Sequence, residues 1–112
     1  MSDLNALYNE AEALKDDGKL EESIEKLNSI LALDDSHVLS HLALAVVLGK
    51  VNKHEDAIKH AQRACELEPT EPFNFTALSV TSQRAWQGTQ RQEFIQLAED
   101  AMARAHALQG QG

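Results

Sequence analysis

Apolar residues at Leu4, Leu7, Ala11 and Leu14 recur with the spacing of one helical face. Gly18 follows, a residue that turns at positive φ without a steric cost. A second stripe runs through Leu20, Ile24, Leu27, Ile30 and Leu31, and the polar run Asp34-Asp35-Ser36 ends it. That run offers an N-cap to a following helix. The pattern then returns. Leu39, Leu42, Ala43 and Val46 form a stripe, Asn52 tolerates a left-handed turn, and Ala57, Ile58, Ala61, Ala64, Cys65 and Leu67 form the next stripe. Pro69 and Pro72 break and restart the chain, Pro72 being suited to a first helical position. Phe75, Leu78 and Trp86 mark a fifth helix, which the pattern ends at Gly88-Thr89. Thr89 and Gln92 have capping-box spacing, so a last helix is predicted over about 90 to 108, with residues 110–112 frayed.

These stripes repeat with a period. Shifting the sequence by 34 residues lays Ala11 on Ala45, Leu14 on Leu48, Ile24 on Ile58, Leu27 on Ala61 and Leu33 on Leu67. A further shift of 34 carries His41 to Phe75, Leu44 to Leu78 and Ala45 to Ser79, after which the register changes. Residues 54–68 next match 95–109 at a spacing of 41, with Ala57 on Ala98, Ala64 on Ala105 and Leu67 on Leu108. The third unit therefore holds about 7 extra residues between Gln83 and Phe94, close to two helical turns. Such an insert lengthens both helices and keeps their packing face. The expected architecture is all-α, one domain over 1–112, with units at about 4–37, 38–71 and 72–109 and six helices in all. A single unit of this kind cannot bury its own apolar face, so stacked neighbours supply the core.

Composition narrows the classes. The chain has 112 residues, one domain's worth, with 5 glycines and 2 prolines, too few for a turn-rich β-sandwich. No apolar run approaches the roughly 18 residues of a membrane span. The N-terminus lacks the basic start and apolar core of a secretory signal, so the expected compartment is the cytoplasm. The single cysteine, Cys65, excludes an internal disulfide and a multi-thiolate metal site. The net charge of −8 argues against nucleic acid and anionic membranes as partners. It is also uneven: residues 1–37 carry 10 acids and 3 bases, whereas residues 72–112 carry 3 of each. A partner chosen by charge should bring its positive side to the N-terminal third.

The units resemble the tetratricopeptide repeat, a 34-residue helix-turn-helix. Residues 52–69, NKHEDAIKHAQRACELEP, resemble the family's turn and second helix, with Ala57 and Ala64 at its small positions and Pro69 at its closing proline. Residues 18–35 follow the same pattern with Ser23, Ile30 and Asp35 in those places, and Ala98, Met102, Ala105 and Leu108 match in the third unit. The family's first-helix glycine stands as Ala11, Ala45 and Ser79, and its following aromatic as Leu14, Leu48 and Ser82. The resemblance covers about residues 3 to 109 and implies a right-handed solenoid of three helix-turn-helix repeats.

It also implies a non-catalytic interaction module or scaffold. The family's first helices line a concave groove for a partner's peptide or helix. Mapped here, the groove positions are Tyr8, Glu12 and Lys15, then Leu39, Leu42 and Val46, then Phe73, Thr76, Val80, Gln83 and Arg84. An apolar centre with a polar rim suits such recognition. Members that bind chaperone tails hold a terminal carboxylate with Lys, Asn and Arg; the matching positions here are Tyr8, Glu12, Ala43, Phe73 and Ala77, so that clamp is absent. His37 and His41, four apart, could face one metal ion with Asp34, but nothing requires it, and His41 matches a large first-helix position. His54, His60 and His106 read as surface or helix-end residues. Cys65 reads as an inert buried thiol. No phosphate loop, GxSxG or nucleophile with a base partner is present, so neither an enzyme nor a cofactor is expected. The alternative function is homodimerisation through residues 86–108, where Trp86 and Phe94 flank an alanine-rich helix.

Overall fold

The computed structural model describes residues 3–110. Six helices follow in order: α1 (Leu4–Asp16), α2 (Leu20–Leu33), α3 (Val38–Lys50), α4 (His54–Leu67), α5 (Pro72–Thr89) and α6 (Gln92–Gly110). They pair as three antiparallel hairpins, and each first helix also packs on the hairpin before it. The backbones of the first helices α1, α3 and α5 approach within 8 Å in succession, whereas those of α2, α4 and α6 stay farther apart among the described residues. The stack therefore closes on the first-helix side and opens on the other, an all-α helical repeat solenoid. Its extents of 39 × 33 × 20 Å match two helix layers of about 10 Å each.

The turns carry the repeat at the backbone level. Gly18 (φ 79°) and Asn52 (φ 66°) both adopt the left-handed conformation expected of them. In both turns the next amide reaches back to the same carbonyl position: Lys19 N–H to Leu14 O and Lys53 N–H to Leu48 O, each 2.8 Å. These bonds satisfy last-turn carbonyls that the helix leaves open. Pro72 occupies the first turn of α5 as expected.

Two apolar clusters form the core. Ala11, Ile24, Leu27, Ile30, Ala43, Leu44, Val47, Leu48 and Ala57 bind unit one to unit two. Ala45, Ile58, Ala61, Cys65, Leu78, Ala85, Phe94 and Ala101 bind unit two to unit three. Alanines at the contact allow helix axes to approach, and each full burial of a Leu or Ile contributes about 1.5–3 kcal/mol.

The insert lengthens both helices as expected, while the turn and cap assignments need correction. The third unit's extra residues extend α5 to 18 and α6 to 19 residues, against 13 and 14 in each earlier unit. The α5–α6 turn is not at Gly88-Thr89: the helix runs through both, and Gln90 takes the left-handed position (φ 62°). Thr89 does not cap the next helix; its hydroxyl donates to Ala85 O (2.7 Å) and accepts from Arg91 N–H (3.2 Å). Accordingly α6 begins at Gln92 and reaches Gly110, the first residue of the expected frayed tail. Residues 111–112 lie outside the described residues. Asp34 does not cap α3: its carboxylate accepts from Ser36 N–H and hydroxyl (3.0 and 2.6 Å), and His37 Nδ1 accepts from Ser40 N–H instead (3.3 Å).

Candidate functional site

How each first helix divides its circumference decides which of the expected groove residues stay uncovered. α3 buries Ser40, His41, Ala43, Leu44, Ala45, Val47 and Leu48, so the stripe Leu39, Leu42 and Val46 is left over. Leu39 is 52% exposed, and Leu42 and Val46 are half-buried. α5 buries Asn74, Leu78, Ser79, Thr81, Ser82 and Ala85, which leaves Phe73 at 63% and Val80 at 38% exposed. Three of the four exposed large hydrophobic residues, Leu39, Phe73 and Val80, thus lie on the first helices; the fourth, Leu33, ends α2.

The rest of the predicted set is placed as follows. On α1, Tyr8 is half-buried, with its ring tilted against His37 at 6.0 Å. Burial raises the Tyr8 hydroxyl above its ordinary range, and the Glu12 charge adds to this. Glu12 and Lys15 form an ion pair at 3.0 Å, which holds the Lys15 ammonium above its ordinary range. Lys15 is therefore not free to anchor an anion. Thr76 is half-buried and donates to Pro72 O (3.3 Å). Arg84 is exposed and forms no ion pair with the described residues. Gln83 departs from the others: its amide donates to Ser79 Oγ (3.3 Å), and it lines a pocket between α5 and α6.

The histidines do not form the metal pair considered from sequence. His37 Nδ1 lies 2.8 Å from Ser40 Oγ at the start of α3. His41 turns into the unit-two hairpin, where its Nδ1 lies 2.9 Å from His60 Nδ1 and its Nε2 2.8 Å from Asp35 O. His60 is consequently half-buried and bonded, not a free surface residue. Burial lowers its pKa below the ordinary value, and His41 lowers it further. His54 opens α4 and is half-buried, while His106 is exposed. Among the described residues no group of three His, Cys, Asp or Glu side chains is placed to hold a metal ion. Cys65 is buried, and desolvation raises its thiol to about 11, which makes it a poor nucleophile.

Two features have no counterpart in the sequence reading. Arg91 ties the α5–α6 turn to α4 through Glu55 (2.7 Å), pairs with Glu93 (3.0 Å) and covers the Phe94 ring at 4.7 Å. The pocket of about 360 Å³ between α5 and α6 has walls of Trp86, Ile95, Ala98 and Met102. No described helix is long and apolar enough to cross a membrane.

No family model and no curated protein matches the chain. Solved structures do. The chain is similar to MamA at a TM-score of 0.80 with 16% identity, over 96% of this chain and 59% of that one. The chain thus spans little more than half of MamA's length. It is similar to the Yersinia enterocolitica type III secretion translocator chaperone SycD at a TM-score of 0.78 with 18% identity, over 94% of this chain and 74% of that one. It is also similar to the second TPR of Spaghetti (RPAP3), bound to an HSP90 peptide, at a TM-score of 0.76 with 20% identity, over 94% and 91% of the two chains. At these identities the likeness speaks for the backbone, and together with the six-helix stack it gives the chain the fold of the tetratricopeptide repeat proteins.

Proposed function

We propose that the chain is a non-catalytic protein-interaction module that takes a partner's peptide or helix against the concave face of α1, α3 and α5. The observation that carries this reading is the exposure of Leu39 on α3 and of Phe73 and Val80 on α5, with Leu42 and Val46 of α3 half-buried. Exposed apolar residues gathered on one face mark an interaction site, whereas scattered ones do not. Tyr8, Glu12, Lys15, Thr76 and Arg84 supply polar edges, and Gln83 borders the last unit. The likeness to a secretion chaperone and to a peptide-bound TPR supports the same class of function. The chemistry differs from carboxylate clamping: Lys15 is already paired with Glu12, and Ala43 is buried where a polar side chain would be needed. The recognised feature is therefore a row of apolar side chains.

The test compares affinity capture from native lysate by the wild type and by the double variant Leu39→Glu, Phe73→Glu. Both side chains are more than half exposed, so the fold should survive, and circular dichroism checks this. Specific partners captured by the wild type and lost by the folded variant support the groove. Equal capture by both removes it.

A second reading pairs the chain with a copy of itself through residues 86–108. The apolar walls of Trp86, Ile95 and Met102 favour it. A sedimentation mass of twice the chain, reduced to one chain by Trp86→Ala, would establish it.

A further inference from the structure

The two junctions inside the molecule show what occupies the end face of a unit. Unit two is covered by α5, which lies over Ala45 of α3 and Ile58, Ala61 and Cys65 of α4. Shifted by the repeat spacings, Ala45 becomes Ser79, Ile58 becomes Glu99 and Ala61 becomes Met102, while Cys65 becomes the exposed His106. Ser79, Glu99 and Met102 line the pocket between α5 and α6 together with Ala98, with Trp86 and Ile95 as its apolar walls. The pocket is thus the third unit's version of the seat that holds α3 on unit one and α5 on unit two. In both of those seats the occupant is a helix.

Charge distinguishes the occupants. Glu99 replaces an isoleucine, is exposed and forms no ion pair with the described residues. A second copy does not meet it well. A two-fold pairing over this pocket sets Glu99 near its own counterpart. A head-to-tail stack brings α1 and its C-cap Asp17 into the seat, where Glu10 (paired with Lys26), Ala13 and Asp17 stand at the positions from which Leu44 and Val47 of α3 and its C-cap Val51 join their core. Two carboxylates would then face an apolar wall beside a third, and both desolvation and like charge oppose that. We propose that the α5–α6 end face is a second docking surface, distinct from the concave groove, for an amphipathic helix of a partner protein whose apolar stripe enters the pocket and whose basic residue pairs with Glu99.

Trp86 is the only tryptophan of the chain, so the pocket carries its own reporter. The probe is an amidated Leu/Lys amphipathic peptide of α5's length, 18 residues, beside its Leu/Glu counterpart, added to the full chain at about 0.15 M salt. The expected result is a saturable shift of Trp86 emission to shorter wavelength with the Leu/Lys peptide, and binding about tenfold weaker with Leu/Glu. Met102→Glu should abolish the shift. It makes the protein more acidic, so adsorption by charge alone would instead strengthen. Leu42→Glu, on the concave face, should leave the shift intact, which separates this surface from the groove. Glu99→Lys should invert the preference between the peptides and gives an independent reading if Met102→Glu folds poorly. The proposal is overturned by the absence of a shift, by equal binding of both peptides, by a shift that survives Met102→Glu, or by a Trp86 shift that grows with protein concentration alone alongside a doubled mass. The last result would assign the face to a second copy.

Discussion

The pair His41 and His60 is held by hydrogen bonds that allow few protons. His41 Nε2 faces the carbonyl of Asp35, so it must donate; the network then assigns neutral His41 an accepting Nδ1, and His60 Nδ1 donates to it. Adding a proton to both rings sets N–H against N–H across 2.9 Å. Asp56 on α4 draws a proton toward His60, but burial and His41 together outweigh it and lower the pKa. The sign follows: below about pH 6.5 the unfolded chain binds more protons at His60 than the folded one. The stability from the neutral pair is complete above that pH and lost as pH falls from there through the lowered folded pKa. Losing one such bond costs about 1 kcal/mol, or a melting point roughly 4–8 °C lower. Melting curves from pH 7.5 to 5 should show a drop that His60→Gln flattens; an unchanged slope in the variant removes the pair from the account. The two rings are 19 positions apart on different helices, so no spacing along the chain announces them. Gly88 was legible in the same partial way. It reads as a breaker, yet it lies inside α5, where a Cβ would stand 2.5 Å from His54 Nε2 as that ring is placed. Gly→Ala in a helix normally gains about 1 kcal/mol. Gly88→Ala must displace the His54 ring, so it should gain less than this in urea unfolding and recover the full gain in a His54→Ala background.

Helices were readable where polar and apolar residues alternate with the helical period, and less so where they do not. α1, α2 and α4 show clean stripes, and their buried residues Ala11, Ile24, Leu27, Ile30, Ala57, Ile58, Ala61 and Ala64 fall on them. α3 is apolar nearly all round, so hydropathy could not say that Leu44 and Val47 point inward while Leu39 points out. α5 fails in the opposite way, because its buried face is partly polar. Asn74, Ser79, Thr81 and Ser82 are buried there, and a pattern of hydrophobicity cannot see polar groups that find partners inside. Ser79 donates to Ala98 O at 2.8 Å, as Ser23 does to Ala11 O at 2.8 Å, so a hydroxyl ties each of these hairpins. Asn74 does more, because it joins two units. Its side-chain amide donates to Ala64 O (3.2 Å) and Glu68 O (3.3 Å), carbonyls at the end of α4 that also accept from Glu68 N–H and Glu71 N–H. Asn74→Ala removes both donors in a site only 1% exposed, with an expected cost of about 1–3 kcal/mol. Asn74→Asp should cost more, since a carboxylate would face two carbonyl oxygens. Urea midpoints of the two variants check the order, and a milder effect of Asp than of Ala would contradict the assignment.

At the scale of the molecule the three units differ in what they contribute. A stack of repeats is stable through nearest-neighbour contacts, so a unit with a neighbour on one side only depends on its own hairpin and that single junction. The period of 34 made the stack legible in sequence, and the change to 41 showed where the last hairpin would be longer. The period could not show which end is weaker, because that depends on how much of each helix is covered. α1 buries only Ala11, whereas α3 buries seven residues and α6 five. Charge adds to the imbalance: residues 1–37 hold 10 acids against 3 bases, and Glu10, Asp17, Glu22 and Glu25 surround one cleft between α1 and α2 with Lys26 as its one cation. Lys26 pairs with Glu10 at 3.3 Å, and the remaining carboxylates repel one another at a distance that salt screens. Unit one should therefore open before the rest, with α1 leading. Native-state hydrogen exchange should show α1 amides exchanging at a lower opening free energy than those of α3 and α4. Raising the salt from about 0.05 to 0.5 M should slow exchange in α1 and α2 more than in α5 and α6, because the last third of the chain carries as many bases as acids. Uniform protection across all six helices would show that the stack unfolds as one unit and that the acidic end costs it nothing. If α1 does open first, the groove loses Tyr8, Glu12 and Lys15 while Leu39 and Phe73 stay in place, so a partner that needs the first unit must close it on binding. Its affinity would then rise with salt over the range in which α1 protection rises, the reverse of what a charge-driven contact shows.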